Sequence, residues 1–426
     1  RVTRLSHAKD TIAFDKSEGQ HLDMFVMKKA HFLSDHIRPS LEIFLILTLC
    51  ACASVAGAGN QVVAWGAGKI YKPSDNNDYG QSIVPSNLTN AVMVAGGWRH
   101  SMALKADGTL EGWGDATLEQ TNFPAGSNYI SVACGDLHSV ALKADGTISS
   151  VGDIYYGQQL VPPNLSNVVS IACGFYHTLV LKTNGAVVAW GGVGSVNYGQ
   201  GTVPAGVSNV VAIAAGGYHN LVLKKDGSLF AWGLNDSGET NIPAGLSNVV
   251  AIAAGSGHNL VLKSDGTVFA WGLNAYGETN IPAGLSNVVA IAAGGWHNLA
   301  LKRNGTVVAW GAGGGTNINV DYRQNIVPAN LTNVIQIAAG DLNSLVLVGN
   351  APPITQAVSV QPNLTTNGFS FWLPTQNGRV YEPEFNSALS EKNWQSLPLK
   401  AGTGGALWFT NQTISSPQLF YRVLQW

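Results

Sequence analysis

Six histidines recur along this chain at intervals of 38 to 42 residues: His100, His138, His177, His219, His258 and His297. Imidazole is the side chain best suited to proton transfer and metal binding near neutral pH. The spacing argues against both uses. Six donors copied around a repeating scaffold cannot converge on one ion whose ligands lie about 2 Å away. The expectation is a structural imidazole, bonded to backbone at its own hairpin. The residues just before these histidines vary instead. Between Gly and His stand Trp98-Arg99, Asp136-Leu137, Phe175-Tyr176, Gly217-Tyr218, Ser256-Gly257 and Gly295-Trp296, and Asp341-Leu342 precedes Asn343. Large aromatics and arginine are the usual anchors of protein interfaces, and these turn tips carry five such rings. Local packing in a channel mouth is the competing reading of the same rings.

Other chemistry is thinly represented. Asp136, Asp153, Asp236, Asp321 and Asp341 fall on the same side of the repeats, so a carboxylate pair for glycoside hydrolysis is conceivable. Scattered surface acids more often serve solvation. The chain has no H-E-x-x-H, G-x-S-x-G, phosphate-loop or EF-hand pattern and no Cys/His spacing of a zinc site. The expectation is therefore no catalysis, no cofactor and no metal.

The elements that position these residues come from a repeat of about 40 residues, the period of propellers and solenoids. Six full copies start at Ala91, Tyr129, Val168, Val210, Val249 and Val288, and a truncated seventh runs from Val334 to Asn350. Its missing third run stands at the other end, where Gly59–Gly66 matches Asn304–Gly311. A closed ring needs such a joint and a solenoid does not. Each copy holds three short apolar runs bounded by Gly, Asn, Asp and Pro, which reads as strands. Asp-Gly or Asn-Gly between runs two and three, as at Asp226-Gly227, is the strongest short hairpin signal. The Asn-Ile-Pro-Ala-Gly stretches read as crossing segments, because proline cannot donate to a ladder. Chain direction then places every G-x-x-H turn and every loop after Trp-Gly on one face. Those loops add Tyr71, Tyr155, Tyr156, Tyr198, Tyr276 and Tyr322. Tyrosines in the recurring Tyr-Gly-Gln/Glu tripeptides read as structural. The recurring Trp-Gly pairs, from Trp65 to Trp310, read as packing between repeats; the second copy departs from them with Val151-Gly152.

Composition excludes some partners. Charged residues make up 11% of the chain and the net charge is −2, so there is no basic footprint for nucleic acid. Mean hydropathy is +0.11, as expected when strands are buried on both faces. Met27-Lys28-Lys29, the apolar run Ile43–Leu49 and Ala56-Gly57-Ala58 read as a secretory signal with its cleavage site. The run is too short to span a membrane, and Leu49-Cys50-Ala51-Cys52 is only a weak lipoprotein box. Cys134 and Cys173 hold equivalent positions in neighbouring repeats and are expected as buried free thiols.

The unit A-G-x-x-H-x-x-x-L-K-x-D-G-x-v-x-A-W-G-x-N-x-x-G, seen at Ala215-Gly216, His219, Trp232-Gly233, Asn235 and Gly238, resembles the regulator of chromosome condensation repeat across residues 60 to 350. The compact spacing with Ile-Pro-Ala-Gly is similar to a bacterial secreted branch that includes a β-lactamase inhibitory protein. The resemblance implies a seven-bladed, protein-binding propeller and does not name the partner; a β-lactamase or transpeptidase is one target class. A second, weaker resemblance links 354–426 to accessory β domains of secreted bacterial proteins.

The reading of the whole chain is all-β. Residues 1–58 are an upstream segment and signal peptide starting at Met27. Residues 59–350 are a seven-bladed β-propeller closed by its N-terminal strand, and 351–426 a linker and small sandwich-like domain. The expected function is that of a secreted, monomeric, non-catalytic binder. Its protein partner is an extracellular or envelope protein, met through Trp98, Arg99, Phe175, Tyr176, Tyr218, Trp296, Tyr71 and Tyr155. Glycan binding or surface adhesion is the alternative, and a glycoside-acting enzyme the lesser one.

Overall fold

The structure is a computed structural model describing residues 59–69, 77–313 and 321–349, together with 25–26, 363–365, 368–375, 379–386, 394–403, 406–411 and 420–426. Tyr71 and the signal segment 27–58 lie outside the described residues. The chain is all-β: apart from one 3-10 turn at Gly194–Val196, every regular element described is a strand.

Each repeat forms a three-stranded antiparallel sheet. The first comprises Ala91–Gly96, His100–Lys105 and Leu110–Gly114, and the second Tyr129–Cys134, His138–Lys143 and Ile148–Gly152. The third to sixth follow the same plan, with middle strands His177–Lys182, His219–Lys224, His258–Lys263 and His297–Lys302. In the seventh, Val334–Ala339 and Asn343–Val348 pair with Gln61–Gly66 from the other end of the chain, in register from Gln61 against Val348 to Gly66 against Asn343. The middle strands are buried from end to end except for the final Lys or Val. That is why runs such as His-Asn-Leu-Val-Leu do not alternate: each sheet packs on a neighbour through both faces. The segments between the sheets, with their prolines, form no fourth strand.

Three sets of contacts bind the sheets into a ring. The indoles of Trp65, Trp113, Trp190, Trp232, Trp271 and Trp310 each donate to a backbone carbonyl, of Gln324, Gln81, Gln158, Gln200, Glu239 and Glu278 respectively. In the second sheet Val151 stands in place of tryptophan and has no side-chain N–H to give. The histidines supply the second set, and here the structure corrects the sequence reading. Each Nε2 bonds a side chain of the next sheet, not backbone of its own hairpin: His100 to Ser139, His138 to Thr178, His177 to Asn220, His219 to Asn259, His258 to Asn298 and His297 to Ser344. Asn343 replaces histidine in the seventh sheet and donates to Ser101 Oγ at 3.2 Å, which completes the circuit.

Glycine supplies the third set. A Cβ on Gly97, Gly135, Gly174, Gly216, Gly255, Gly294 or Gly340 would press into the carbonyl oxygen of the next glycine in that order, and Gly340 returns to Gly97. The hub is too narrow for any side chain there. At Gly216 the added carbon would lie 2.6 Å from the Gly255 oxygen and inside the His219 ring. Gly216→Ala is therefore expected to destabilise by about 1–3 kcal/mol through overpacking, read as a lowered urea midpoint. Gly126→Ala, where the nearest atom is at 3.8 Å, is the control and should leave the midpoint within experimental scatter.

The C-terminal strands form two small sheets. One joins Asn363–Thr365, Gly368–Pro374 and Ala406–Asn411; the other is built around Val380–Asn386 and Phe420–Gln425, with Phe25–Val26 at its edge. The second sheet docks on the Asp-Gly side of the fifth and sixth sheets. Leu399 N–H donates to Ser264 O at 3.0 Å, Val380 and Leu399 join the core around Val250 and Val288, and Arg303 pairs with fully buried Glu382.

Candidate functional site

The face opposite that dock carries the G-x-x-H turns, and its side chains fall into two tiers. The first residue of each turn lines the mouth of the central channel: Trp98, Asp136, Phe175, Gly217, Ser256, Gly295 and Asp341. Below them Cys134 and Cys173 face the same channel, as free thiols that are partly exposed to it, where full burial was expected. Burial pushes the Cys134 thiol up to about 12, so it stays protonated and unreactive. The second residue of each turn, including Arg99, Tyr176, Tyr218 and Trp296, stands outside the channel.

The predicted aromatics do not form one set. Tyr155, Tyr156, Tyr176, Phe175, Tyr218 and Tyr198 make a continuous chain of ring contacts across the second, third and fourth sheets. Successive centroids lie 4.8, 4.7, 6.3, 5.4 and 5.3 Å apart. Trp98 stands apart: the Arg99 guanidinium lies 3.7 Å over its ring and 4.7 Å from that of Tyr79, and the Trp98 indole donates to Asn77. Trp296 pairs with Tyr276, at 5.5 Å between ring centroids.

Tyr156 and Tyr198 were read as structural, and the tripeptide does have that role. Gln158 and Gln200 accept the backbone N–H of Tyr156 and Tyr198, which closes each loop. The phenol rings are nevertheless free to join the patch. Tyr155 is 77% exposed, and Ile154, Leu160, Val193 and Tyr198 beside it are exposed as well. Five of the ten exposed large hydrophobic residues among those described thus stand on two adjacent loops. Concentration of this kind marks interaction surfaces, where scattered single residues would not.

The acids separate too. Asp153 is absorbed in its own loop, accepting from Tyr155 N–H and Gln158. Asp136 and Asp341 meet at the channel mouth. Burial, then the charge of Asp341, raises the Asp136 carboxyl well above the carboxylate range, against a lowering pull from Arg99. Burial alone raises Asp341 to about 7. Burial and the nearby Asp136 also push the Tyr176 and Tyr218 phenols up. The cavity that both acids help to line is about 70 Å³. No cluster of three metal-ligating side chains exists among the described residues.

Comparison with known proteins places the repeat. The Regulator of chromosome condensation (RCC1) repeat matches residues 129–158, 168–200, 210–239, 249–278 and 288–314. The chain carries regulator of chromosome condensation repeats. Among solved structures it is similar to Prp20p from Saccharomyces cerevisiae, studied for binding to Gsp1p and histones. That match has 22% identity over 69% of this chain and 92% of that one, with a TM-score of 0.57. It is also similar to yeast RCC1 (Prp20) bound to Kap60, at 22% identity over 68% and 89% of the two chains and a TM-score of 0.55. At this identity the likeness is one of β-propeller fold. No curated protein matches the sequence. Among the described residues no helix is long and apolar enough to cross a membrane.

Proposed function

We propose that the chain is a secreted, non-catalytic propeller that binds a protein partner through the G-x-x-H face. One observation carries this reading: the six-ring patch from Tyr155 to Tyr198, with its exposed apolar rim, lies on the face opposite the C-terminal dock. Aromatic side chains bury roughly 150–250 Å² each, so these rings and their neighbours supply much of the about 800 Å² per partner in a standard interface. Regulator of chromosome condensation propellers serve mainly as protein-binding scaffolds, and the yeast neighbours bind proteins. Secretion rests on the Met27 to Ala58 pattern, and it favours an extracellular or envelope partner over a nuclear one. An extracellular β-lactamase or cell-wall transpeptidase is one target class, on the resemblance of the repeat to the secreted bacterial branch alone.

The test uses residues 59–426 as bait against secreted and envelope proteins, beside a Tyr155→Ala/Val193→Ser/Tyr198→Ala variant. All three side chains are exposed, so the variant should melt with the parent. Loss of two anchors worth at least about 2 kcal/mol each should weaken a captured partner by several hundredfold. Equal capture by both baits would remove the patch from the interface.

A further inference from the structure

The channel mouth has a charge imbalance that the aromatic patch does not explain. Asp136 is 94% buried by its 6% exposure, faces the cavity and accepts no hydrogen bond. Asp341 Oδ1 and Ser256 Oγ, on residues that line the same cavity, are buried without a hydrogen-bond partner. Among the described residues the cation that acts on Asp136 is Arg99, which is stacked on Trp98 and Tyr79 and whose Nε has no hydrogen-bond partner. Two carboxyl groups share one guanidinium in a confined space, so both can ionise together only if a further positive charge is brought in. Isolated buried charge is costly unless paired. The rings of Trp98 and Phe175 flank Asp136 on the same rim, and ring faces attract cations.

We propose that this mouth receives one cationic side chain, the ammonium of Lys or the guanidinium of Arg, presented by the protein that docks on the surrounding face. The proposal rests on that docking reading for the source of the cation. Its chemistry follows from the wall. Carboxylates repel an anion and give a neutral group no counter-charge. Two acids without a third carboxylate, His or Cys ligand among the described residues suit an organic cation rather than Ca²⁺ or Mg²⁺, which take six or more oxygens. A cation seated there supplies donors to Asp136, Asp341 and Ser256 together. It also holds both carboxyls ionised, where burial otherwise favours a shared proton.

The test is a titration of the 59–426 protein, carrying ¹³C at the Asp γ-carboxyls, with n-butylammonium and n-butylguanidinium chloride. Potassium chloride at matched ionic strength and n-butanol are the controls. The expected result is a saturable shift of the Asp136 and Asp341 resonances with the organic cations alone, and titration of the pair at lower pH when they are bound. The Asp136→Asn/Asp341→Asn variant should bind either probe at least tenfold more weakly while melting no lower than the parent. No saturation in the parent, or equal saturation in the variant, overturns the proposal. Partner capture separates the two readings. Capture lost with the Tyr155/Val193/Tyr198 variant and kept at parental affinity with the Asp variant leaves the face and removes the channel. Capture kept with the surface variant removes the face, and the probe titration still decides the channel.

Discussion

Acidification from pH 6.5 to pH 4 is expected to unfold the propeller in a steep transition. Six imidazoles are buried without exposure, and burial lowers them from 6.5 to about 4 at His100, His177, His219 and His258 and to about 3 at His138 and His297. Above pH 6.5 both folded and unfolded states hold them neutral. Below it the unfolded chain takes up protons that the folded one refuses, so stability falls as pH falls. Each such proton is worth about 1.4 kcal/mol per pH unit. Asp136 and Asp341 act in the opposite sense. Their raised carboxyls bind protons in the folded state first, and their contribution grows as pH falls towards the unfolded value. Six imidazoles less two carboxyls leave about four protons, or about 5 kcal/mol per pH unit at the steepest point. Against a typical net stability of about 5–15 kcal/mol, about one to three units below 6.5 suffice.

The seventh sheet offers the variant that tests this. Asn343 makes the inter-sheet bond to a serine without a titrating group, and His297 also faces a serine, Ser344. His297→Asn should keep the contact, reduce proton uptake on unfolding by about one and move the acid midpoint down. Proton uptake measured from the pH dependence of the urea midpoint decides it. An unchanged slope would mean that the imidazoles do not drive the transition.

Trp65→Ala is expected to cost about 3–5 kcal/mol, among the largest losses any single truncation in this chain can produce. Trp65 is 1% exposed, sits in the core with Trp310 and Val346, and donates to Gln324 O at 2.8 Å. Its removal leaves a cavity and takes from the Gln324 carbonyl one of its two donors, the other being Ser344 Oγ at 2.9 Å, at the one joint made from both ends of the chain. Trp65→Phe keeps most of the volume and loses the N–H, so its smaller cost isolates the hydrogen bond. Urea unfolding of the three proteins gives both numbers. A loss under 1 kcal/mol for the alanine variant would mean that the joint contributes little to the fold.

The strands, the hairpin turns and the pairing of Gln61–Gly66 with the truncated repeat were legible because they depend on local pattern and on one sequence match. The histidine partners were not read, although a signal existed. The residue after each histidine is Ser, Thr or Asn in a strand otherwise apolar, at Ser101, Ser139, Thr178, Asn220, Asn259 and Asn298, and Ser344 follows Asn343 in the same way. A small polar group at a fixed buried position calls for a partner, and only the neighbouring sheet could supply one. The division of the turns into channel-lining and outward residues was hidden for a different reason. Two adjacent turn residues differ in direction by backbone angles that their identities do not reveal. Trp98 and Arg99, or Phe175 and Tyr176, therefore looked equivalent. The meeting of Asp136 with Asp341, 205 residues apart by numbering, depends on ring closure and is invisible to any local pattern.

That closure has a kinetic side. The indole of Trp65 and its acceptor are separated by 259 residues, so the latch forms only after an entropic loop of nearly the whole ring has been gathered in. The other six sheets are hairpins of near neighbours and can assemble in sequence order. The N-terminal strand, first to emerge during synthesis, must wait unpaired until the last repeat exists. Until then the open stack exposes Val62 and Leu345, both buried in the finished ring, and is a species in which strand edges can capture one another between molecules. Folding yield should therefore fall with protein concentration far more steeply than the stability of the finished ring would suggest.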